Sequence, residues 1–132
     1  MKLITRDTDY ALRALCFIAK NKDKVTPVSE LVRRLRMPRP FLRKILQSLD
    51  KIGLLKSYKG KGGGFLLTLK PDKISILDVM RIFQGEFNFN ECLLNKRLCP
   101  DIRICILKKK IDRIEKYVIS ELNSFKLAYL LE

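Results

Sequence analysis

The 132-residue sequence predicts a mainly α-helical protein, a winged helix-turn-helix with a two-stranded wing and a long C-terminal dimerisation helix. Three observations predict it. Two short amphipathic segments are separated by the proline-interrupted stretch Met37-Pro38-Arg39-Pro40. Two short apolar runs then flank the basic, glycine-rich stretch Lys59-Gly60-Lys61-Gly62-Gly63-Gly64. A narrow apolar seam, Ile104, Leu107, Ile111, Ile114, Val118 and Leu122, follows near the C-terminus.

The elements follow in order. Tyr10 to Lys20 reads as a helix with Leu12, Leu15, Cys16 and Ala19 on one face; Asp7, Thr8 and Asp9 supply its N-terminal acids and caps. A second helix starts at Thr26-Pro27, with Thr26 as the cap, and carries Val28, Leu31, Val32 and Leu35. The third runs from about Pro40 to Lys51 and buries Phe41, Leu42, Ile45, Leu46 and Leu49. Residues 54–58 and 65–69 form the strands of the wing. A fourth helix runs from Ser75 to Gly85. The seam that begins at Ile104 spans roughly twenty residues, a rod of about 30 Å. So small a body has little with which to cover it, so the seam is read as a surface for a second copy. Asn123-Ser124 caps that helix, and Phe125 to Leu131 make a short packing turn. The division is therefore 1–85 for the winged helix-turn-helix, 86–103 for a cysteine-bearing loop, and 104–132 for the dimerisation helix and packing segment.

Charge points to the partner. Lys and Arg number 28 against 14 Asp and Glu, a formal net charge of +14. Residues 33–61 hold ten basic side chains and a single acid, Asp50. A one-sign cluster repels itself unless a polyanion meets it, and double-stranded DNA is that polyanion. On the third helix, Arg39, Phe41, Arg43 and Lys44 are the candidates to face a major groove, where Arg reads guanine bidentately. Arg33, Arg34, Lys59, Gly60 and Lys61 are the candidates for phosphate, with glycine allowing close backbone approach.

Other chemistries are excluded or weakened. The chain contains no histidine, which removes the commonest general base and every His-containing metal site. No acid–base constellation suggests an enzyme, and no small-molecule substrate is expected. The glycines are not a phosphate-binding P-loop, because a strand follows them rather than a helix opening with Lys-Ser/Thr. The longest apolar run, Ala14 to Ala19, is too short to span a bilayer, and Lys2 opens no signal-peptide core, so a cytoplasmic protein without membrane contact is expected.

Four cysteines remain. Cys16 lies on the apolar face of the first helix and reads as a buried, inert thiol. Cys92, Cys99 and Cys105 are spaced C-x6-C-x5-C across a polar loop. Disulfides would leave one thiol over, and zinc prefers closely paired cysteines in a closed four-ligand site. Three thiolates in one loop suit an iron–sulfur cluster with a further ligand of another kind.

Over nearly its full length the chain resembles the IscR/NsrR family of bacterial iron–sulfur transcription regulators. The resemblance is carried by Met1-Lys2-Leu3 followed by Thr8-Asp9-Tyr10-Ala11-Leu12-Arg13-Ala14-Leu15, by Phe41-Leu42, Ile45-Leu46 and Leu49, and by Gly53-Leu54. It continues through Gly60 and Gly62-Gly63-Gly64, Ile76, Asp78-Val79, the three cysteines, and Leu127-Ala128. It implies a homodimeric DNA binder on a palindromic operator, with a [2Fe-2S] or [4Fe-4S] cluster near the dimer interface. The histidine that serves as fourth ligand in the cluster-biogenesis branch is absent here, where the stretch after the third cysteine reads Ile106-Leu107-Lys108. The nitric-oxide-sensing branch uses an aspartate reaching across from the partner subunit, and the matching residue is Asp9, which favours [4Fe-4S]. Arg39, Pro40 and Arg43 stand where better-known members carry base-reading residues, so their operator does not transfer. The resemblance implies a regulator, most simply a repressor, that responds to nitric oxide, redox state or iron–sulfur status. The rival readings are a cluster-free regulator governed by thiol oxidation or a partner protein, and an iron–sulfur electron-transfer protein.

Overall fold

The computed structural model describes residues 2–21, 23–89 and 105–131. Helix α1 (Arg6–Lys20) opens one turn earlier than the apolar periodicity indicates, because the Thr5 hydroxyl accepts from the Thr8 N–H and so caps it. Asp7 and Asp9 lie inside the first turn, where they face the positive end of the helix dipole. Thr8 is buried. Its hydroxyl donates to the Gln84 side-chain carbonyl (2.6 Å), which also accepts from the Thr5 N–H (3.1 Å). The Gln84 amide donates in turn to the Leu3 carbonyl (3.1 Å), so one glutamine clasps the start of the chain.

Helix α2 (Val28–Leu35) follows Pro27, and its cap differs from the sequence expectation. Thr26 makes no side-chain cap; it is buried, and its hydroxyl accepts from the Asn21 side chain. Its backbone pairs reciprocally with Phe65, N–H to carbonyl at 2.9 Å in each direction. The chain leaves α2 through Arg36 in a left-handed conformation, buries Met37, and enters α3 (Arg39–Ile52) from Pro38. Pro40 sits in the first turn, where its missing N–H is not needed. Leu42, Ile45, Leu46 and Leu49 point into the core, whereas Phe41 is half-buried rather than fully buried. Cys16 is likewise half-buried beside the core, and desolvation raises its thiol pKa, partly opposed by Lys20.

The wing is an antiparallel pair, β1 (Leu55–Tyr58) and β2 (Gly64–Leu67), in the register Leu55 with Leu67 and Tyr58 with Gly64. Helix α4 (Ile76–Gln84) is closed at its start by a full capping box: the Ser75 hydroxyl accepts from the Asp78 N–H and the Asp78 carboxylate from the Ser75 N–H, both at 3.0 Å. Helix α5 (Ile106–Ser124) starts at Cys105 and ends where the Ser124 hydroxyl donates to the Glu121 carbonyl. The chain then returns onto the body. The Ile76 N–H donates to the Phe125 carbonyl (2.9 Å), the Leu127 N–H donates to the Ile74 carbonyl (2.8 Å), and Leu127 is fully buried in a core shared with α1, α3 and α4.

Two glycines carry different demands. Gly64 has φ +153, and a Cβ there would strike the Thr26 carbonyl; Gly62 has φ +80 but open space around it. Gly64→Ala is therefore expected to cost about 3 kcal/mol by urea denaturation, through backbone strain plus loss of the Thr26–Phe65 pair. Gly62→Ala should cost only about 1 kcal/mol. Equal losses would show that the approach to Thr26 is not what demands Gly64.

Candidate DNA interface and sensor cysteines

The core-facing stripe of α3 leaves Arg39, Arg43, Lys44, Gln47 and Lys51 on its exposed face. The wing stands beside that face, and between them lies a cleft of about 540 Å³ lined by Arg43, Gln47, Asp50, Tyr58, Lys59 and Gly60 among others. Asp50, the lone acid of the basic segment, is half-buried, and its carboxylate accepts from the Ser57 hydroxyl (3.3 Å), joining α3 to β1.

Of the residues expected to meet DNA, Arg43, Lys59 and Gly60 line this cleft. Arg33 and Arg34 are exposed in the last turn of α2. Lys59, Gly60 and Lys61 form the exposed tip of the wing, with Gly60 at φ +86 and nothing crowding it. Phe41 is engaged in packing: its ring meets Tyr10 edge-on with centroids 5.4 Å apart, and the Arg6 guanidinium lies 5.6 Å from its centroid.

Three residues on or beside this surface escaped the sequence reading. Gln47 lies one turn beyond Arg43 on the same helix face, a spacing of four that marks it in hindsight. Lys56 and Tyr58 alternate on β1, with the Lys56 ammonium 5.4 Å from the Tyr58 ring, and a period of two places them on one face. Both pairings are local, so both were recoverable from spacing.

Of the cysteine trio, Cys92 and Cys99 lie outside the described residues. Cys105 is half-exposed at the N-cap of α5, and its Sγ accepts from the Lys108 N–H at 3.5 Å. A sulfur that caps a helix N-terminus faces backbone donors and the positive end of the dipole, an arrangement that suits a thiolate ligand. Asp9 is half-exposed on α1 and accepts from Arg13 Nε at 3.0 Å; the helix cap is Thr5. Among the described residues no three Cys, Asp or Glu side chains converge as a metal site, and no helix is long and apolar enough to cross a membrane.

A helix-turn-helix with a basic outer face, backed by a basic wing, defines a winged helix-turn-helix DNA-binding regulator. A profile of the Rrf2 family, described as iron-dependent transcriptional regulator, matches residues 4–132. The chain is 30% identical to the HTH-type transcriptional regulator NsrR of Bacillus subtilis over 134 aligned residues, covering 100% of this chain and 91% of that protein. Its fold matches the solved structure of CymR, the global cysteine regulator of B. subtilis, with a TM-score of 0.81 and 26% identity, covering 99% of this chain and 97% of that one. It also matches T. potens IscR, with a TM-score of 0.76 at 23% identity over 99% and 86% of the two chains. The chain belongs to the Rrf2 family of transcriptional regulators.

Replacing Arg43 by Ala is expected to weaken a selected operator by about 1–3 kcal/mol while leaving random duplex nearly unaffected. Lys59→Ala should weaken both alike and flatten the salt dependence by about one unit. Fluorescence anisotropy titrations on the two duplexes would check this. Parallel losses from both variants would abolish the division between reading and anchoring.

Proposed function

We propose that this Rrf2 regulator represses transcription from a palindromic operator as a homodimer, with its DNA affinity set by an iron–sulfur cluster on Cys92, Cys99 and Cys105. The observation that carries this reading is Cys105: a half-exposed sulfur placed where a helix begins, held by a backbone N–H. The donor set fits, since three thiolates with a carboxylate are cluster ligands in kind. Asp9, half-exposed on α1, is the proposed fourth ligand from the partner subunit and favours [4Fe-4S] over [2Fe-2S]. When bound, such a cluster supplies iron that reacts with nitric oxide or oxygen and is lost when iron is short.

What this chain contributes is mechanical. Cys105 sits at one end of α5, and the other end is tied into the reading head by the Phe125 and Leu127 backbone bonds. Ordering the loop around Cys105 therefore constrains where α5 starts relative to the head. No described side chain of α5 is fully buried; Leu107 is 67% exposed, Tyr117 66% and Ile114 41%, an apolar stripe that a second copy would cover. With α5 as the dimer axis, its angle sets the spacing of two α3 helices against successive major grooves about 34 Å apart.

A second reading keeps the fold and omits the cluster: the same thiols respond to oxidation directly. The half-exposed Cys105 and the likeness to CymR support it. Anaerobic purification followed by iron and sulfide determination separates the two. About four of each per chain is expected, and about two would mean [2Fe-2S] and remove the case for Asp9. Cys105→Ser should abolish the visible absorbance. Iron-free protein that resists reconstitution yet binds DNA would overturn the cluster reading in favour of thiol control.

The dimer has its own test. Leu107→Glu with Ile114→Glu is expected to give a monomer by sedimentation velocity, to leave thermal unfolding of the head little changed, and to reduce operator binding at least tenfold by loss of the paired half-sites. A variant that still sediments as a dimer would show that α5 is not the contact.

A further inference from the structure

We propose that Arg6, on α1 and outside both the helix-turn-helix and the wing, is a DNA-phosphate contact pre-positioned by Phe41 at the N-terminal end of the recognition helix. The inference rests on the DNA-binding function of the family and adds to it a residue from a different element.

Arg6 and Phe41 are 35 positions apart in sequence, yet the guanidinium carbon lies 5.6 Å from the ring centroid. Phe41 is held in turn by Tyr10, one turn further along α1, in an edge-to-face contact with centroids 5.4 Å apart. The ring therefore has a fixed place, and Arg6 rests on it. Arg6 is exposed and, among the described residues, forms no ion pair, whereas Arg13 on the same helix is committed to Asp9. An arginine held over an aromatic ring keeps its N–H donors, and those donors match a phosphate bidentately. Because the side chain is already restrained, less rotamer entropy is lost on contact.

The surroundings favour an anion. The first turn of α3 has no acidic residue, unlike those of α1, α2 and α4, which carry Asp7 and Asp9, Glu30, and Asp78. Arg39 and Arg43 lie in the first turns of α3 on a different face from Phe41, and the helix dipole adds positive potential at the same end. Bringing a further unpaired arginine to that end raises self-repulsion in the free protein, which a phosphate relieves. It is also the end of a recognition helix that enters the major groove, between the phosphates of the two strands.

The test uses the full-length protein on an operator recovered by in vitro selection and on random duplex, with affinity measured across a salt series. Arg6→Met, which keeps the stem, is expected to weaken both duplexes by the same factor, about tenfold at 0.1 M salt, and to reduce the salt slope by about one unit. Arg6→Lys should keep the slope. Phe41→Leu, which frees the guanidinium without removing its charge, should lose only about threefold and also keep the slope. An unchanged slope in Arg6→Met would overturn the proposal and leave Arg6 a packing residue. A loss confined to the operator would overturn it in favour of base contact. If the wild type binds no duplex while remaining folded, the DNA-binding reading falls and this proposal with it. If the wild type and Lys59→Ala behave as described and Arg6→Met does not, this proposal alone fails.

Discussion

The reading head depends on one reciprocal pair of backbone hydrogen bonds, between Thr26 and Phe65. It joins the segment that launches α2 to the second strand of the wing, so that helix-turn-helix and wing move as one piece. The pairing brings two backbones so close that residue 64 has no room for a Cβ, and Gly64 is the answer to that constraint. The cleft between α3 and the wing inherits its width from this contact. Asp50 and Ser57 reinforce it from the other side of β1. A wing attached only through its own hairpin would hold Lys59 and Lys61 at no fixed distance from Arg43.

A second tie works at the opposite end of the molecule. The backbone bonds between Ile76 and Phe125, and between Leu127 and Ile74, fasten the end of α5 beside the start of α4. Burial of Leu127 adds about 1.5–3 kcal/mol of apolar transfer energy to that tie. Helix α5 is therefore anchored at its C-terminal end and presents exposed apolar side chains, Leu107, Ile114 and Tyr117, along its length. Cys105 stands at the far end, at the N-cap of the helix. Cys105 and the Phe125–Leu127 tie thus stand at opposite ends of 19 helical residues, about 28 Å apart.

Electrostatics and packing divide the α3 surface cleanly. Its leucines and Ile45 serve the core, while among the described residues its arginines and lysines form no ion pair; Asp50 accepts from Ser57. Phe41 bridges the two regimes. The sequence pattern marks it as an apolar core position, but it sits at the edge of the core as a platform, with Tyr10 beneath and Arg6 above. Much of the surface positive charge was legible because it lies in a single run, residues 33–61. Arg6 was not, since nothing in a neighbouring residue signals that an arginine near the start of the chain will meet the recognition helix.

The sequence by itself determined the helices, the wing and the sign of the partner. Apolar periodicity, proline and glycine placement, and a one-sign charge run are all properties of neighbours along the chain, and helices, turns and surface potential respond to neighbours. Local rules also placed helix caps at Asp7, Thr8 and Asp9 and at Thr26, and missed Thr5. Thr5 caps α1 although apolar periodicity begins five residues later, and Thr26, followed by proline as a cap would be, spends its backbone on Phe65 instead. Only the tertiary structure decided those roles, along with the demand for Gly64, the platform of Phe41 and the reach of Arg6. Each depends on two segments far apart in sequence approaching within a few ångströms, and such an approach is set by how the whole core packs rather than by any stretch of residues alone.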